Sequence, residues 1–367
     1  MAVKSKMEGM VDQLKMTFQN RRVLITGHTG FKGSWLVGLM HELGANIAGY
    51  ALDAEEGNLY ARMNGDQFCE STIGDLMDYE RLSDTILSYK PDFIFHMAAQ
   101  PLVLDGYQRP LYTFNVNGMG TAHVLEACRA IDHKCVLIII TTDKVYKNNE
   151  DGRPFAEADA LGGHDPYSAS KACTEIITES YQKSFFGNHP VKIARARAGN
   201  VIGAGDFAEN RLVPDIVRAL QKNETVVLRN PSAIRPWQHV LDCLMGYVQL
   251  AHKLWVDDEF YNSVEQSWNF GPNPTDKVTV EQLTKTAIKA WGEGKYEIEM
   301  ADNKPHEAGV LLLDPEKSKE LIGWRPVWDS RKAIEQTILG YMLLEKDSQH
   351  MIARHVMEHL NKYSTGG

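Results

Sequence analysis

The stretch "VLITGHTGFKGSWLVGLM", from Val23 to Met40, decides the fold of this chain. An apolar β-type run comes first, an apolar helical run comes last, and Gly27, Gly30 and Gly33 lie between them. Glycines at a strand exit let the backbone turn tightly, and the following helix N-terminus offers N–H groups to an anion. The stretch therefore predicts a βαβ unit whose first turn cradles a phosphate; a glycine-rich turn without a ligand is the alternative.

The same alternation of strands and helices continues to about residue 198. The predicted strands are "RVLITG", "NIAGYAL", "DFIFHMAA", "CVLIIIT" and "VKIARAR", with helical stretches between them. This rhythm predicts an α/β fold with a Rossmann-type, doubly wound parallel sheet and a smaller, mostly helical substrate-binding lobe. The predicted segments are an N-terminal extension over 1–20, the Rossmann domain over 21–198, the lobe over 199–345, with part of 240–272 returning to the Rossmann domain, and a tail over 346–367.

Composition excludes several classes of function. The net charge of −9 over 367 residues argues against a nucleic-acid partner, because phosphate binding needs a basic excess. Five cysteines, an odd number without close pairing, indicate reduced thiols rather than a disulfide framework or a zinc site, so no metal is expected. The polar N-terminus and the lack of a long apolar run predict a cytoplasmic protein without a membrane partner.

Two acidic residues beyond the second predicted strand indicate which dinucleotide the glycine turn accepts. Asp53 follows the second strand, where a carboxylate accepts the ribose hydroxyls of NAD and repels the extra phosphate of NADP. Asp75, in "IGDLMD", is a candidate for the adenine edge; a solvated loop acid is the alternative for both. His28 and Lys32 lie inside the glycine turn and are candidate phosphate contacts or exposed side chains. NAD is thus the predicted cofactor.

A tyrosine and a lysine are spaced one helical turn apart in "HDPYSASKACTE". Tyr167 and Lys171 stand at i and i+4, on one face of a helix whose start is marked by Pro166. A phenol titrates near pH 10, so it acts as a base at neutral pH only beside a cation that stabilises the phenolate. Lys171 supplies such a charge; a surface pair without function is the alternative.

The fourth predicted strand ends in a row of polar groups. In "KCVLIIITTDKVYKNN" the apolar run is followed directly by Thr141, Thr142, Asp143 and Lys144. The row is either the solvent-exposed end of a strand or a set of reactive groups that lie together in one site. The residues alone leave both interpretations open.

These motifs together resemble the extended short-chain dehydrogenases/reductases. The resemblance implies that Thr142 orients a sugar hydroxyl, Tyr167 takes its proton, and Lys171 lowers the pKa of the tyrosine and binds the nicotinamide ribose. Asn117, in "VNGMGT", matches a position that supports this lysine. The implied cofactor-binding residues are Gly27, His28, Gly30, Phe31, Lys32, Gly33, Asp53, Asp75, Ala98, Ala99, Tyr167 and Lys171.

Eight blocks in order are similar to one subgroup, the CDP-glucose 4,6-dehydratases. The blocks are "ITGHTGFKGSWL", "FHMAAQPLV", "DPYSASKACTE", "RAGNVIGAGD", "RLVPDIVRA", "RNPSAIRPWQHV", "WNFGP" and "HEA". The resemblance implies a lyase of deoxysugar and O-antigen biosynthesis that converts CDP-D-glucose to CDP-4-dehydro-6-deoxy-D-glucose and water, with recycled NAD. It also implies a homodimer or a homotetramer.

In that reaction carbon 4 is oxidised, water is eliminated across carbons 5 and 6, and the hydride returns to carbon 6. Asp143 is then the predicted acid toward the carbon-6 hydroxyl. Lys144 is either the base at carbon 5 or a stabiliser of the enolate, because a lysine acts as a base only when its pKa is lowered. A lysine that simply reaches solvent from a strand end is the third possibility.

A nucleoside diphosphate sugar needs cations for its two phosphates. Arginine suits them because its planar fork matches phosphate, and Arg235 in "AIRPWQHV" is the first candidate. The predicted substrate-binding residues are Asn117, Asn200, Arg211, Arg229, Arg235, His306 and Glu307.

One loop departs from the subgroup. The subgroup usually reads "PLVRLSY" where this chain reads "PLVLDGY", so an arginine is lost and Asp105 and Gly106 are gained. The change bears on the sugar accepted or on subunit contacts. Two other functions share the motifs: an epimerase or reductase, which needs no Asp143 or Lys144, and a non-catalytic NAD-binding sensor, which needs no Tyr167.

Overall fold

A single parallel sheet organises the chain. The computed structural model describes residues 9–148, 152–299 and 311–365. Seven strands pair in the order β11-β6-β5-β4-β1-β2-β3, all of them parallel. Their bounds are β1 (Arg22–Thr26), β2 (Asn46–Ala51), β3 (Glu70–Ile73), β4 (Phe93–His96), β5 (Cys135–Ile140), β6 (Val191–Ala198) and β11 (Ser267–Phe270). This sheet confirms the predicted doubly wound α/β fold.

Helices cover both faces of the sheet and build the lobe beyond it. They are α1 (Met10–Phe18), α2 (Phe31–Glu42), α3 (Leu59–Arg62), α4 (Tyr79–Tyr89), α5 (Val103–Gln108), α6 (Pro110–Phe114), α7 (Gly120–Cys128), α8 (Pro166–Phe185), α9 (Leu212–Gln221), α10 (Val240–Val256), α11 (Asp258–Ser263), α12 (Val280–Trp291), α13 (Glu316–Leu321), α14 (Ser330–Leu344) and α15 (Ser348–Thr365). Within the described ranges, none of them combines the length and apolarity that a bilayer crossing requires.

Short strand pairs shape the lobe. β7 (Val201–Ile202) pairs with β10 (Gln238–His239), β8 (Val226–Leu228) with β13 (Tyr296–Ile298), and β9 (Ile234–Arg235) with β12 (Val278–Thr279). The chain re-enters the main sheet at β11, whose residues pair with β6. The segment 267–270 therefore belongs to the main sheet, although it follows much of the lobe in sequence.

Both ends of the described chain pack on the core. Leu14 and Phe18 of α1 are fully buried, and the Phe18 ring lies 4.6 Å from that of Phe93 between ring centroids. At the other end Ile352 of α15 occupies the space that a side chain at Gly38 of α2 would need. The terminal helices are thus parts of the main core and not loose appendages.

The sheet positions the functional groups because parallel strands deliver their carboxyl ends to one edge. β1, β4, β5 and β6 end at Thr26, His96, Ile140 and Ala198, and the loops that follow them meet at this edge. β5 is buried along its whole length, which explains why its sequence is continuously apolar.

Candidate active site

A cleft of about 1930 Å³ opens along the carboxyl edge of the sheet. It is lined by the glycine turn, the ends of β4, β5 and β6, the start of α8, and lobe segments within 199–219 and 226–237. Pockets for one drug-sized ligand are roughly 300–1,000 Å³, so this cleft has room for two bulky ligands side by side.

Most of the predicted site residues share this cleft. Those in its lining are Gly27, Gly30, Phe31, Lys32, Gly33, Asp75, Ala98, Ala99, Thr142, Lys144, Tyr167, Lys171, Asn200, Arg211, Arg229 and Arg235. Four described residues of the predicted set lie outside the lining, namely His28, Asp53, Asn117 and Asp143. His306 and Glu307 lie outside the described residues.

The glycine turn has no room for side chains. Gly27 has φ +76°, and a Cβ there would lie 2.8 Å from the Cα of Ala98. A Cβ on Gly33 would lie 2.1 Å from the carbonyl oxygen of Gly27, so the first turn of α2 sits directly on the loop. Gly30 precedes α2 in extended geometry without a side-chain cap, which leaves the first N–H groups of the helix available to an anion. The residues present therefore fit a dinucleotide pyrophosphate.

His28 and Asp53 do not face the cleft. The His28 ring lies beneath the turn, its Nε2 is 2.8 Å from Ser71 Oγ, and burial lowers its pKa to about 4. A buried neutral ring supports the loop and leaves only its backbone for a phosphate. Asp53 is exposed and accepts a hydrogen bond from the backbone N–H of Ala54, one residue beyond the lining residue Leu52. Asp75 lines the cleft and accepts from the Met77 N–H at 2.9 Å.

Tyr167 and Lys171 lie on the cleft-facing side of α8. Asp165 caps this helix by accepting from the Ser168 N–H, and Pro166 occupies its first turn. Burial raises the pKa of Tyr167 to about 12, against the cation of Arg211 and the hydroxyl of Thr142, which both lower it. Burial and the cation of Lys32 lower the pKa of Lys171 to about 8, and its Nζ donates to the carbonyl of Ile140 at 3.1 Å.

Arg211 therefore has a second effect besides its predicted contact with phosphate. Its positive charge lowers the pKa of Tyr167, an effect that the sequence analysis attributed to Lys171. Its guanidinium is held by Asp206, with Nη1 2.9 Å from Oδ2. A lobe residue thus contributes charge to a helix of the sheet domain, a contact between distant segments that spacing in sequence does not reveal.

The polar row after β5 forms a short 3₁₀ turn over Asp143–Val145. Thr142 is extended and caps this turn, and its hydroxyl donates to Asp143 Oδ1 at 2.9 Å. Lys144 Nζ lies 3.6 Å from the same oxygen, and its side chain is 30 % exposed in the cleft wall. Thr142 and Lys144 therefore reach the cleft, whereas the carboxylate of Asp143 lies between them and behind the surface.

The second oxygen of Asp143 is unusual. Asp143 is 1 % exposed, and among the described residues its Oδ2 has no hydrogen-bond partner. A Cβ on the cleft-lining residue Gly199 would lie 3.2 Å from this oxygen. Because a buried, unpaired carboxylate oxygen costs free energy, it needs a partner that the folded chain does not itself supply.

Asn117 lies beneath the cleft. Its amide nitrogen donates to the Gln100 carbonyl and to Ser170 Oγ, and its Oδ1 accepts from the Gln100 N–H. The side chain is 1 % exposed, so these bonds leave it no contact with a ligand. It joins the loop after β4 to α8 one residue before Lys171, and it supports that helix from below instead of binding a substrate.

The loop whose sequence differs from the subgroup, "PLVLDGY", is followed by a cleft residue that the sequence analysis missed. Residues 103–108 form α5, which lines the cleft, and Asp105 accepts from Arg109 Nε and Nη2 at 2.7 and 2.6 Å. The guanidinium also lies 4.5 Å from the ring centroid of Tyr112. Arg109 and Leu104 both line this wall of the cleft, and the i, i+4 spacing of Asp105 and Arg109 was the available signal.

A buried ion network beneath β5 was also missed. Glu175 of α8 accepts from Arg197 Nε at 2.9 Å, from Arg197 Nη2 at 2.8 Å, and from Thr141 Oγ1 at 2.5 Å. Arg197 also donates to Tyr146 Oη, whose phenol donates to Asn269. The network fixes the residues on either side of the polar row after β5; the signal was two arginines inside the apolar strand "VKIARAR".

Comparisons with known proteins show the family of this chain. The family model described as GDP-mannose 4,6 dehydratase matches residues 24–337. The chain belongs to this family. A curated CDP-glucose 4,6-dehydratase of Salmonella typhimurium is 43 % identical over 325 residues, which cover 87 % of this chain and 89 % of the relative. This relative was expected from the eight sequence blocks, and the resemblance is confirmed.

Solved structures of the family's neighbours share the fold. The dTDP-glucose 4,6-dehydratase of Bacillus anthracis, solved with NAD, has a TM-score of 0.73 at 23 % identity and covers 89 % of this chain and 97 % of its own. The UDP-glucose 4-epimerase of Thermus thermophilus, also solved with NAD, has a TM-score of 0.75 at 24 % identity and covers 88 % and 99 %. At these identities the likeness establishes the fold, and both activities occur on it.

Proposed function

We propose that this protein is an NAD-dependent lyase that converts CDP-D-glucose to CDP-4-dehydro-6-deoxy-D-glucose and water. One observation carries the proposal: Thr142, Lys144, Tyr167 and Lys171 line one cleft, with Asp143 bonded to Thr142 directly behind them. The 43 % identical relative supports the CDP-glucose substrate, and the order of sequence blocks supports the same assignment.

The glycine turn holds the pyrophosphate of NAD in this proposal. Gly27, Gly30 and Gly33 leave the space, the first N–H groups of α2 face it, and Phe31 and Lys32 close one side. Asp75 would face the adenosine end, and Lys171 with Ala98 and Ala99 would flank the nicotinamide end, since all four residues line the cleft. Bound NAD would supply the acceptor and donor for the hydride that moves from carbon 4 to carbon 6.

Tyr167 removes the proton of the carbon-4 hydroxyl, and Thr142 orients that hydroxyl. The pKa of the phenol is about 12 because the group is buried, so its phenolate depends on cations. Arg211 supplies one positive charge, and the oxidised nicotinamide adds another when it is bound. Lys171 orients the nicotinamide ribose while its Nζ keeps the bond to the Ile140 carbonyl.

Asp143 and Lys144 serve the elimination. The ketone at carbon 4 acidifies the proton on carbon 5, and the carbon-6 hydroxyl departs as water when an acid protonates it. The unpaired Oδ2 of Asp143 is the candidate donor for that proton. Lys144 acts directly at carbon 5, as the base or as the cation beside the enolate, since its Nζ is 3.6 Å from Asp143 and its side chain reaches the cleft.

The lobe supplies the charges for the diphosphate. Arg235, Arg229 and Arg211 line the lobe side of the cleft, and Asn200 lies beside them at the end of β6. The Arg235 side chain is buried, which suits a guanidinium that contacts a dehydrated phosphate. Arg109 on the opposite wall is the additional candidate for the sugar side.

A single assay tests the proposal against an epimerase, a reductase and a sensor. The protein is incubated with CDP-glucose and catalytic NAD, and the base-induced ultraviolet absorbance of a 4-keto sugar is measured. We expect absorbance without net NADH from CDP-glucose and far less from UDP-glucose or GDP-mannose. Inversion of a hydroxyl without the chromophore would show an epimerase, and silence with every nucleotide sugar would show a sensor.

We also propose a homo-oligomer built on α6, the π turn over Asn115–Met119 and α8. These segments present exposed apolar side chains: Leu111 is 80 % exposed, Ile176 56 % and Met119 49 %. Apolar surface on adjacent helices is stabilised by a partner, and a second copy offers the same surface about a two-fold axis. Light scattering should give a dimer or a tetramer, and Leu111→Glu with Ile176→Glu should give a smaller species.

The proposed place of action is the cytoplasm, in deoxysugar biosynthesis such as that of an O-antigen. All five cysteines are unpaired in the fold, four of them buried, which suits a reducing compartment. The product, a 4-keto-6-deoxy nucleotide sugar, is a substrate for enzymes that act on the ketone. Fractionation of cells that express the tagged full chain would test the compartment.

A further inference from the structure

One loop of the lobe brings an arginine and a carboxylate together at the cleft. The loop spans residues 203–211, between β7 and α9, and both Asp206 and Arg211 line the cleft. Oδ2 of Asp206 lies 2.9 Å from Nη1 of Arg211. Asp206 is 6 % exposed, whereas the arginine side chain is 35 % exposed. A nearly buried carboxylate thus holds a cation that a ligand in the cleft can still reach.

Contacts with other elements fix the backbone that carries Asp206. The indole Nε1 of Trp35, in α2, donates to the carbonyl of Ala204 at 2.9 Å. The buried phenol of Tyr341, in α14, donates to the carbonyl of Asp206 itself. The position of the carboxylate is therefore set by the core of the protein and does not depend on Arg211.

The two oxygens of the Asp206 carboxylate have different partners. Oδ1 accepts from the backbone N–H of Ala208 at 3.2 Å, and Oδ2 accepts from the guanidinium of Arg211. The bond to Ala208 turns one edge of the carboxylate toward the loop, so the other edge is aimed at the arginine before a ligand arrives. Asp206 is thus an oriented acceptor for Arg211.

A second arginine of this region shows what Arg211 keeps available. Arg218, in α9, donates to the carbonyls of Phe207 and Ala208, so its N–H groups hold the loop backbone. In the described part of the chain the guanidinium of Arg211 is held through Nη1. A guanidinium has several N–H donors in a planar fork, so Arg211 retains donors for the oxygens of a phosphate.

Asp206 has two opposing effects on an anion that binds to Arg211. An arginine side chain loses rotamer freedom when a ligand orders it, and a partner that orders it beforehand removes this cost from binding. A carboxylate close to a phosphate also repels it. Because the charge of Arg211 compensates that of Asp206 at 2.9 Å, we expect the ordering effect to exceed the repulsion.

We propose that Asp206 is a positioning residue, which holds Arg211 in the orientation that binds the diphosphate of the nucleotide sugar. The proposal rests on the proposed function, which supplies this ligand. Arg211 lies in the lobe with Arg229 and Arg235, whereas the glycine turn that fits the pyrophosphate of NAD lies in the sheet domain. The diphosphate at Arg211 is therefore that of the substrate and not that of the cofactor.

A double-mutant cycle with CDP as the ligand tests the proposal. CDP carries the diphosphate without the hexose, so calorimetry measures its affinity without turnover. Asp206→Asn, which keeps the size of the side chain, should weaken CDP binding by about 5-fold, the effect of one side chain that must be ordered on binding. Arg211→Met should weaken it more. The double variant should bind CDP as Arg211→Met does, because Asp206 acts only through Arg211.

Two controls accompany the cycle. Glu209→Gln removes the same charge from an exposed position in the same loop and should leave the affinity for CDP unchanged. The affinity of every variant for NAD should equal that of the wild type, since the glycine turn is intact in all of them.

A measurement on the wild type guards against a misfolded Asp206 variant. Nuclear magnetic resonance of protein labelled with ¹⁵N-arginine reports the rotation of each guanidinium, and Arg211→Met identifies the signal of Arg211. Separate Nη signals before CDP is added mean that the guanidinium is held, as the proposal requires. A single averaged signal means that it rotates freely, which overturns the proposal.

The results of the cycle have distinct meanings. If the effects of Asp206→Asn and Arg211→Met multiply in the double variant, Asp206 acts apart from Arg211. If Asp206→Asn tightens CDP binding, repulsion exceeds ordering; if Glu209→Gln weakens it equally, the lost charge and not the contact is responsible. A fall in the affinity of Arg211→Met for NAD instead of CDP assigns the arginine to the cofactor. Each of these results overturns the proposal. A wild type that binds no CDP would instead contradict the proposed function.

Discussion

Two neighbouring threonines at the end of β5 donate to different carboxylates. Thr141 still belongs to the sheet, since its N–H donates to Ala196, and its hydroxyl donates to Glu175 in a network where Arg197 satisfies the carboxylate. Thr142 begins the 3₁₀ turn and donates to Asp143, whose second oxygen is left unpaired. The carboxylate of Glu175 therefore has hydrogen-bond donors at both oxygens, and the carboxylate of Asp143 has one at a single oxygen.

The difference separates a buried network that stabilises the fold from a polar turn that is available to a ligand. Both threonines line the cleft, but the Thr141 hydroxyl donates to Glu175 of the buried network, whereas the Thr142 hydroxyl donates to Asp143. A complete buried ion network fixes the backbone, whereas an incomplete one is a place for a ligand. Helix α8 repeats the pattern: Tyr167 and Lys171 face the cleft, and Glu175, one turn later, joins the network.

The largest effect is expected from Tyr167→Phe. Loss of the phenol removes the base for the carbon-4 hydroxyl, and kcat should fall by about 10²–10⁴-fold. The melting temperature should change little, since phenylalanine keeps the buried aromatic ring. Tyr181→Phe, on the same helix but outside the cleft lining, is the control and should retain activity. A fully active Tyr167→Phe would remove this residue from the mechanism.

Glu175→Gln should break the complete cluster and act mainly on stability. The substitution leaves the buried guanidinium of Arg197 without its counter-charge, at a cost on the order of 3–5 kcal/mol in the free energy of unfolding. Glu179→Gln, one turn along α8 at a half-exposed position, should cost about 1 kcal/mol or less. Equal unfolding midpoints in denaturant for the two variants would mean that the network is not structural.

Lys171→Met tests, through the pH dependence of stability, whether the amine of Lys171 is buried. The folded pKa is about 8 against 10.5 in the unfolded chain, so the folded state binds fewer protons between these values. The unfolding free energy of the wild type should therefore rise relative to Lys171→Met from pH 8 to 10.5, by up to about 1.4 kcal/mol per unit. Denaturation at several pH values measures the difference. A difference that is flat with pH, or that falls, would contradict the buried position of the amine.

Thr141→Val should have the smallest effect. It removes one neutral donor to Glu175, while Arg197 still satisfies the carboxylate, so the cost is about 1 kcal/mol of stability. Turnover should be nearly unchanged, whereas Thr142→Val should lower kcat by about 10²-fold, because Thr142 orients the carbon-4 hydroxyl in the proposed reaction. If Thr141→Val lowers kcat as much as Thr142→Val does, the division between the two threonines is wrong.

The sequence predicted the parts of the molecule that depend on local pattern. Apolar runs and glycine spacing gave the sheet and the phosphate cradle, because burial and tight turns constrain nearby residues. β3 was not among the predicted strands, since it is a short edge strand with polar residues. β11 lies within 240–272, the range of which part was predicted to return to the Rossmann domain, but the strand itself and its pairing with β6 were not predicted.

Those site residues that share one helix or one turn could be predicted from their spacing in sequence. Tyr167 and Lys171 share a helix, and Thr142 to Lys144 share a turn, so their spacing was informative. Contacts between distant segments were not predictable from spacing. Examples are the effect of the Arg211 charge on Tyr167 and the ion pair of Glu175 with Arg197, each of which joins separate elements. The burial of His28 and Asn117 also depends on neighbours that only the folded chain brings together.

The most direct test uses CDP-glucose with deuterium at carbon 4. If the row after β5 and the tyrosine act on one sugar ring, the deuterium should appear in the carbon-6 methyl group of the product, as nuclear magnetic resonance can show. Deuterium retained at carbon 4, with or without inversion, or its loss to free NADH, would contradict the account.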